Sequence, residues 1–331
     1  MKADVNIKFF VPAYSKAPDV VIGDKFEIVK IPIPDALKKH GYSAFGDAME
    51  LHFKNNKFDL IVNDGCPLRW MSTMRLPNCP RIMISNAFLT GHFTENTVQK
   101  DWFVRPTHQK VHQIRREKGL PPLMSPFEMY NADLVLLTDP RSLFPKLQAR
   151  LPENFEICGP VFWSAQRPVP QELVGLEDFV LISMGSTGRR KLNEQFFAEI
   201  RAFTQCETII YAGHQAEEVR KLSNLDFAFN FLPLNRVLKQ ASCVVTQGGA
   251  GSTYQALSVG APVISFPTHR NQEILGKVVE KHGLGACIGL RESSEILETM
   301  DFPAMRKSSI EFGKQVSPGG ARAVKSILKW L

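Results

Sequence analysis

Thr246-Gln-Gly-Gly-Ala-Gly-Ser-Thr-Tyr-Gln255 is the stretch on which the reading of this chain turns. It follows the apolar run Ser242-Cys-Val-Val245 and leads into the helix-like Tyr254-Gln-Ala-Leu257. A plain strand-to-helix turn needs one glycine for positive φ. Here Gly248, Gly249 and Gly251 are followed by two hydroxyls, Ser252 and Thr253. Bare backbone at a helix start lets an anion reach unsatisfied N–H groups and the positive end of the macrodipole. Turn geometry and a phosphate cradle are therefore both open, and the hydroxyls can either cap the helix or donate to phosphate oxygens. The spacing matches neither the dinucleotide fingerprint nor the P-loop.

Outward from this turn, short apolar runs alternate with amphipathic stretches. The runs at 7–11, 26–31, 58–62, 81–85, 134–138 and 155–158 predict strands in the first half. In the second half the corresponding runs are 179–183, 208–211, 227–231, 243–246 and 262–266. Helical patterns fall at 42–55, 107–118, 192–203, 235–240 and 272–282. Such alternation implies an α/β protein with parallel sheets covered on both faces. The length of 331 residues suits two domains. The proline-bearing segment 161–170 reads as a linker between domains at 1–160 and 171–318, and a closing helix is expected at 319–331. Ligands in such folds lie where strand C-termini open into a crevice.

A hydrophobic content of 44% is that of a globular chain. Six scattered cysteines without a C-x-x-C pair read as thiols, not as a disulfide framework or metal site. No run approaches a membrane span, so a soluble cytoplasmic protein is expected. A net charge of +7 suits an anionic ligand or peripheral contact with the inner face of an anionic membrane. Nucleic acid is not expected as a partner.

The second half also carries a resemblance. Phe179-Val-Leu-Ile-Ser-Met-Gly-Ser186, Phe231-Leu-Pro-Leu234 and the run from Val244 through Gly248, Gly249 and Gly251 to Pro267-Thr-His-Arg-Asn-Gln272 resemble the donor-binding region of GT-B nucleotide-sugar glycosyltransferases. Asn131-Ala-Asp-Leu-Val-Leu-Leu-Thr138 and Ile157-Cys-Gly-Pro160 are similar to the end of that family's first domain and its linker. The resemblance implies two doubly wound Rossmann-like domains facing across a cleft. It implies a UDP- or dTDP-sugar as co-substrate, a small-molecule or lipid acceptor, inversion at the sugar, and neither a cofactor nor a metal. Gln247, Gly248, Gly249, Gly251, Ser252 and Thr253 would hold the diphosphate, with Gly185 and Ser186 beside them. Gln255 would meet the ribose, Asn271 and Gln272 the transferred sugar, and backbone near Leu232 the nucleobase.

Three positions depart from the family pattern. Gln247 replaces its histidine, Gln255 its ribose-binding glutamate and Asn271 its aspartate. Each keeps hydrogen-bonding capacity and loses ionisation. His269 and Arg270, at the same mouth, could help neutralise a diphosphate or serve as ordinary loop charges.

The catalytic base is less evident. The family's glycine-rich loop with a histidine has no counterpart after residues 7–11, and the chain is expected to begin about one strand and one helix late. Without that strand, inner strands would either close up or leave open edges. Asp64, at a strand end, and His92, in a loop, are the candidates for the base, against a helix cap and an exposed loop histidine respectively. A non-catalytic nucleotide-binding protein and a sugar-nucleotide epimerase on the same fold remain as alternatives.

Overall fold

The computed structural model describes residues 5–12, 27–38, 43–65, 71–90, 92, 108–163, 167–185, 192–289, 297 and 299–331. Its strands are arranged in three parallel sheets. The second domain holds the largest, built from β7 (Phe179–Ser183), β8 (Thr208–Ala212), β9 (Phe227–Phe229), β10 (Ala241–Thr246), β11 (Val263–Ser265) and β12 (Gly285–Cys287). Their spatial order is β12-β11-β10-β7-β8-β9. Because β7 is flanked by β8 and β10, the winding direction reverses between β7 and β10, as in a doubly wound dinucleotide-type sheet.

Burial on both faces explains the near-continuous apolar runs. All of β7 except Ser183 is buried, and so is all of β10 except Ala241. Helices α3 (Glu194–Thr204), α4 (Ala250–Ser258), α5 (Arg270–Lys281) and α6 (Phe302–Gly313) cover the sheet, with α1 (Ala44–Lys54) and α2 (residues 108–117) in the first domain. Helix α3 begins where the side chain of Asn193 accepts the N–H of Phe196, and α6 where Asp301 accepts that of Ala304.

The first domain departs from one continuous sheet. β3 (Ile61–Asp64), β4 (Arg81–Ser85), β5 (Leu134–Leu137) and β6 (Phe155–Ile157) pair in that order. β1 (Lys8–Pro12) and β2 (Glu27–Ile31) pair with each other in a separate two-stranded sheet. That small sheet is held by side chains instead of ladder bonds to β3. The Phe10 ring lies 5.0 Å from His52 on α1 (Ala44–Lys54) and 5.5 Å edge-on to Phe58. Helix α2 (residues 108–117) joins α1 through Lys118, whose ammonium contacts both Asp47 and Glu50.

The domains are packed together. One buried cluster runs from Met83, Ala87, Leu137 and Leu143 to Leu181, Ile210, Leu257 and Leu275. The chain crosses between domains twice at one point: Gly159, at φ +95°, lies against Gly319, whose N–H donates to the Pro160 carbonyl. Helix α7 (Gly320–Ile327) then returns to the first domain, where Arg322 donates to the Cys158 carbonyl and Ser326 to Glu156. Among the described residues no helix is long and apolar enough to cross a membrane.

Candidate functional site

The reversal between β7 and β10 puts two glycine-bearing turns side by side. Gly185, after β7, has φ +64°, and a Cβ built on it would lie 3.6 Å from Gln247 Oε1, after β10. Ser186 lies outside the described residues. The two readings of the glycine turn divide by residue. Gly248 serves the turn: its φ is +85°, and a Cβ there would sit 2.9 Å from the Gln272 carbonyl oxygen. Gly249 and Gly251 have ordinary backbone angles, and among the described residues a Cβ on either meets nothing within 4 Å. Gly249 is the N-cap of α4 and has no side chain with which to cap it. The result is a glycine-bearing helix N-terminus above which no described residue crowds Gly249 or Gly251.

The hydroxyls leave the N–H groups of this helix start alone. Ser252 Oγ bonds with Thr246 Oγ1 at 2.9 Å and donates to the Gly249 carbonyl at 3.3 Å, bracing the turn from below. Thr253 is only 1% exposed, with its hydroxyl enclosed and unpartnered among the described residues. One turn into the helix, the Gln255 side-chain oxygen is likewise enclosed, with no hydrogen-bond partner among the described residues. An acceptor left without a donor at this depth is unfavourable unless a ligand supplies one.

The opposite wall is the start of α5. Gln272 accepts from the N–H and hydroxyl of Thr268 at 2.8 and 3.0 Å and donates to Gln247 Oε1 at 3.2 Å. Asn271, beside it, is half-buried. Of the two loop cations, Arg270 pairs with Glu273 at 2.5 Å, and burial lowers the pKa of the His269 imidazole. Leu232 is buried, while the neighbouring Phe231 ring is exposed and carries the Arg167 guanidinium 5.0 Å from its centroid.

On the first-domain side, Asp64 closes β3 and is exposed at the C-terminal edge of the sheet. His92 is half-buried, its ring 5.1 Å edge-on to Phe155. Sequence reasoning missed the residue that joins this side to the glycine turn. Asp139, two residues beyond β5, is fully buried and accepts a 2.5 Å hydrogen bond from the Tyr254 phenol on α4. Its other oxygen accepts the Ala87 N–H at 2.6 Å. Burial raises the Asp139 carboxyl to about 6, against the pull of these hydrogen bonds. The available signal was a lone acid ending the apolar run Leu134-Val-Leu-Leu-Thr138.

Comparison with known proteins agrees with this architecture. Residues 197–312 match the family described as erythromycin biosynthesis protein CIII-like, C-terminal domain. A glycosyltransferase of PGL/p-HBAD biosynthesis from Mycobacterium tuberculosis is 26% identical over 161 residues, covering 48% of this chain and 37% of that protein. The chain thus spans well under half the length of that relative. An uncharacterized UDP-glucosyltransferase of Bacillus subtilis, YojK, is 25% identical over 300 residues, covering 83% of this chain and 74% of its own. Among solved structures, the glycotransferase of kitacinnamycin superposes with a TM-score of 0.67 at 19% identity, covering 92% of this chain and 87% of that one. The Streptomyces glycosyltransferase SsfS6, complexed with thymidine diphosphate, superposes at 0.65 with 15% identity, covering 97% and 91%.

Proposed function

We infer, from the family match over residues 197–312 and a fold shared with solved glycosyltransferases, that the chain is an inverting GT-B glycosyltransferase using a UDP- or dTDP-sugar. The observation that carries this reading is the glycine-bearing start of α4 at the point where the sheet reverses direction, with no described atom within 4 Å of a Cβ on Gly249 or Gly251. Backbone N–H groups and the helix dipole would take up the charge that develops on the departing diphosphate, a role preorganised dipoles fill without a metal. The unpartnered oxygen of Gln255 supports a ribose contact, because a ribose hydroxyl supplies the missing donor. A glucosyltransferase named for UDP and a neighbour holding thymidine diphosphate support both nucleotides as donors.

Transfer with inversion needs a base near the acceptor hydroxyl. Asp64 is the favoured group, exposed at the C-terminal edge of the sheet that faces the second domain, with His92 as the alternative. A small-molecule or lipid acceptor fits this side. Val324 on α7, and Leu328 and Leu331 in the turn and terminus that follow it, are exposed, with Lys325 and Lys329 beside them. This pattern supports peripheral contact with an anionic membrane.

The test is acceptor-dependent release of UDP or dTDP from sugar donors, with product anomers assigned by NMR. Inverted glycosides support the reading. A second reading, nucleotide binding without transfer, is favoured by the Gln272 amide, whose oxygen and nitrogen are both engaged within the protein. Tight nucleotide binding with no release over a broad acceptor panel would select it.

A further inference from the structure

The Tyr254 phenol and the Asp139 carboxylate are 115 residues apart in sequence and belong to different domains. Tyr254 stands one helical turn inside α4, so it is rigidly connected to the glycine turn. Asp139 is bonded to the Ala87 N–H, and the Asn86 amide spans Thr138 Oγ1 at 3.1 Å and Asp139 Oδ1 at 3.4 Å. Residues Ala87–Leu89 form a single tight turn that also packs on α5, and Thr90 closes it by donating to the Ala87 carbonyl. One buried carboxylate therefore touches the helix of the glycine turn on one side and the loop leading to His92 on the other.

We propose that Asp139 and Tyr254 form an interdomain latch, positioning the glycine turn of the second domain against the Ala87–Thr90 loop of the first. The proposal rests on the glycosyl-transfer reading for what is positioned, while the latch itself acts without substrate. A fully satisfied buried polar pair rigidifies its surroundings, and loss of one partner strands the other in a low-dielectric site.

The latch responds to pH. Around Asp139 stand the Tyr254 phenol from α4, the Asn86 amide and Ala87 N–H after β4, and the Cys158 thiol after β6, with Arg322 of α7 on the Cys158 carbonyl. Burial holds the phenol well above its ordinary value and pushes the thiol up to about 11. Between pH 5 and 8 only Asp139 changes charge in this group. Its carboxyl titrates at about 6 when buried and returns toward 3.8 when opening hydrates it. The raised value favours the packed arrangement at low pH, and that advantage is lost as pH rises through 6.

The experiment is hydrogen exchange on the full chain without ligand, following amides of Ala87–Thr90 and α4 from pH 5 to 7.5, corrected for intrinsic exchange. Wild-type protection should fall about tenfold, most of it between pH 5 and 6.5, and level off above, because linkage acts only between the open and buried values of the carboxyl. Asp139→Asn should remove the pH dependence. Tyr254→Phe should lower protection at each pH, and in transfer assays reduce kcat more than it raises the donor KM. Equal protection in wild type and Tyr254→Phe would overturn the latch, and flat wild-type protection would overturn its response to pH. Should Tyr254→Phe not fold, the near-isosteric Asp139→Asn carries the test. A wild-type chain that shows the exchange profile but no transfer would count against the functional reading and leave the latch standing.

Discussion

Gln272 on α5 donates from its amide nitrogen to the amide oxygen of Gln247 at 3.2 Å, closing one wall of the glycine turn. With Thr268 held by its oxygen, Gln272 fastens three segments that meet at the mouth of the second sheet. Gln272→Ala should therefore reduce stability by about 1–3 kcal/mol, the effect of leaving buried partners unsatisfied. Denaturant unfolding measures it. A variant as stable as wild type would mean that the wall is held by other contacts.

The glycines of the turn should separate stability from binding. Gly248→Ala forces a side chain into positive φ, 2.9 Å from a backbone oxygen, and should destabilise by on the order of 1–3 kcal/mol. Gly251→Ala, in open space on α4, should melt at or above the wild-type temperature, since alanine is favoured over glycine within a helix by about 1 kcal/mol. Calorimetric melting of the two variants side by side checks the contrast.

The Gln255 oxygen should find its donor in a nucleotide. Gln255→Ala should weaken UDP binding by about 0.5–1.5 kcal/mol, the net value of a neutral hydrogen bond. Equal wild-type affinity for ribo and dideoxyribo nucleotides, measured by titration calorimetry, would remove Gln255 from the ribose site.

Buried Asp139 predicts how stability depends on pH. Its carboxyl is raised from 3.8 to about 6, so the neutral form is favoured by folding, and ionisation removes that advantage as pH climbs through this window. The full effect is on the order of 3 kcal/mol. Asp139→Asn should gain stability relative to wild type as pH goes from 4 to 7, read from denaturant midpoints at each pH.

The exposed residues of α7 and of the turn after it should bind anionic lipid. Sedimentation with vesicles containing phosphatidylglycerol should pull down the wild-type chain. The double substitution Lys325→Glu and Lys329→Glu should release it, each basic group near the surface contributing about 1 kcal/mol. Equal partitioning of both forms would exclude electrostatic membrane contact through this helix.

Much of this architecture was legible because parallel strands buried on both faces are written as apolar runs. The runs at 81–85 and 179–183 coincide with β4 and β7 residue for residue. The turn after β10 was legible for a different reason, since three glycines and two hydroxyls at a helix start are a local signal. β12, only Gly285–Cys287, was missed because three small residues form no apolar run; its Gly285 is required where a Cβ would collide with the Val263 backbone. The separate pairing of β1 and β2 was hidden because ladder partners are not encoded in either strand alone. Asp139 and Tyr254 were missed for the same reason: their bond spans 115 residues, and neither has a local motif.

The central claim is that the start of α4 cradles a nucleotide diphosphate, and Gly249→Val tests it most directly. With an extended-region backbone and nothing among the described residues within 4 Å of its Cβ, valine at this position should leave the fold and melting temperature near those of wild type. The branched side chain would occupy the space that phosphate oxygens need. Titration calorimetry of the folded variant should show UDP and dTDP affinity lost relative to wild type. Unchanged affinity for both nucleotides in a variant that melts like wild type would contradict the account.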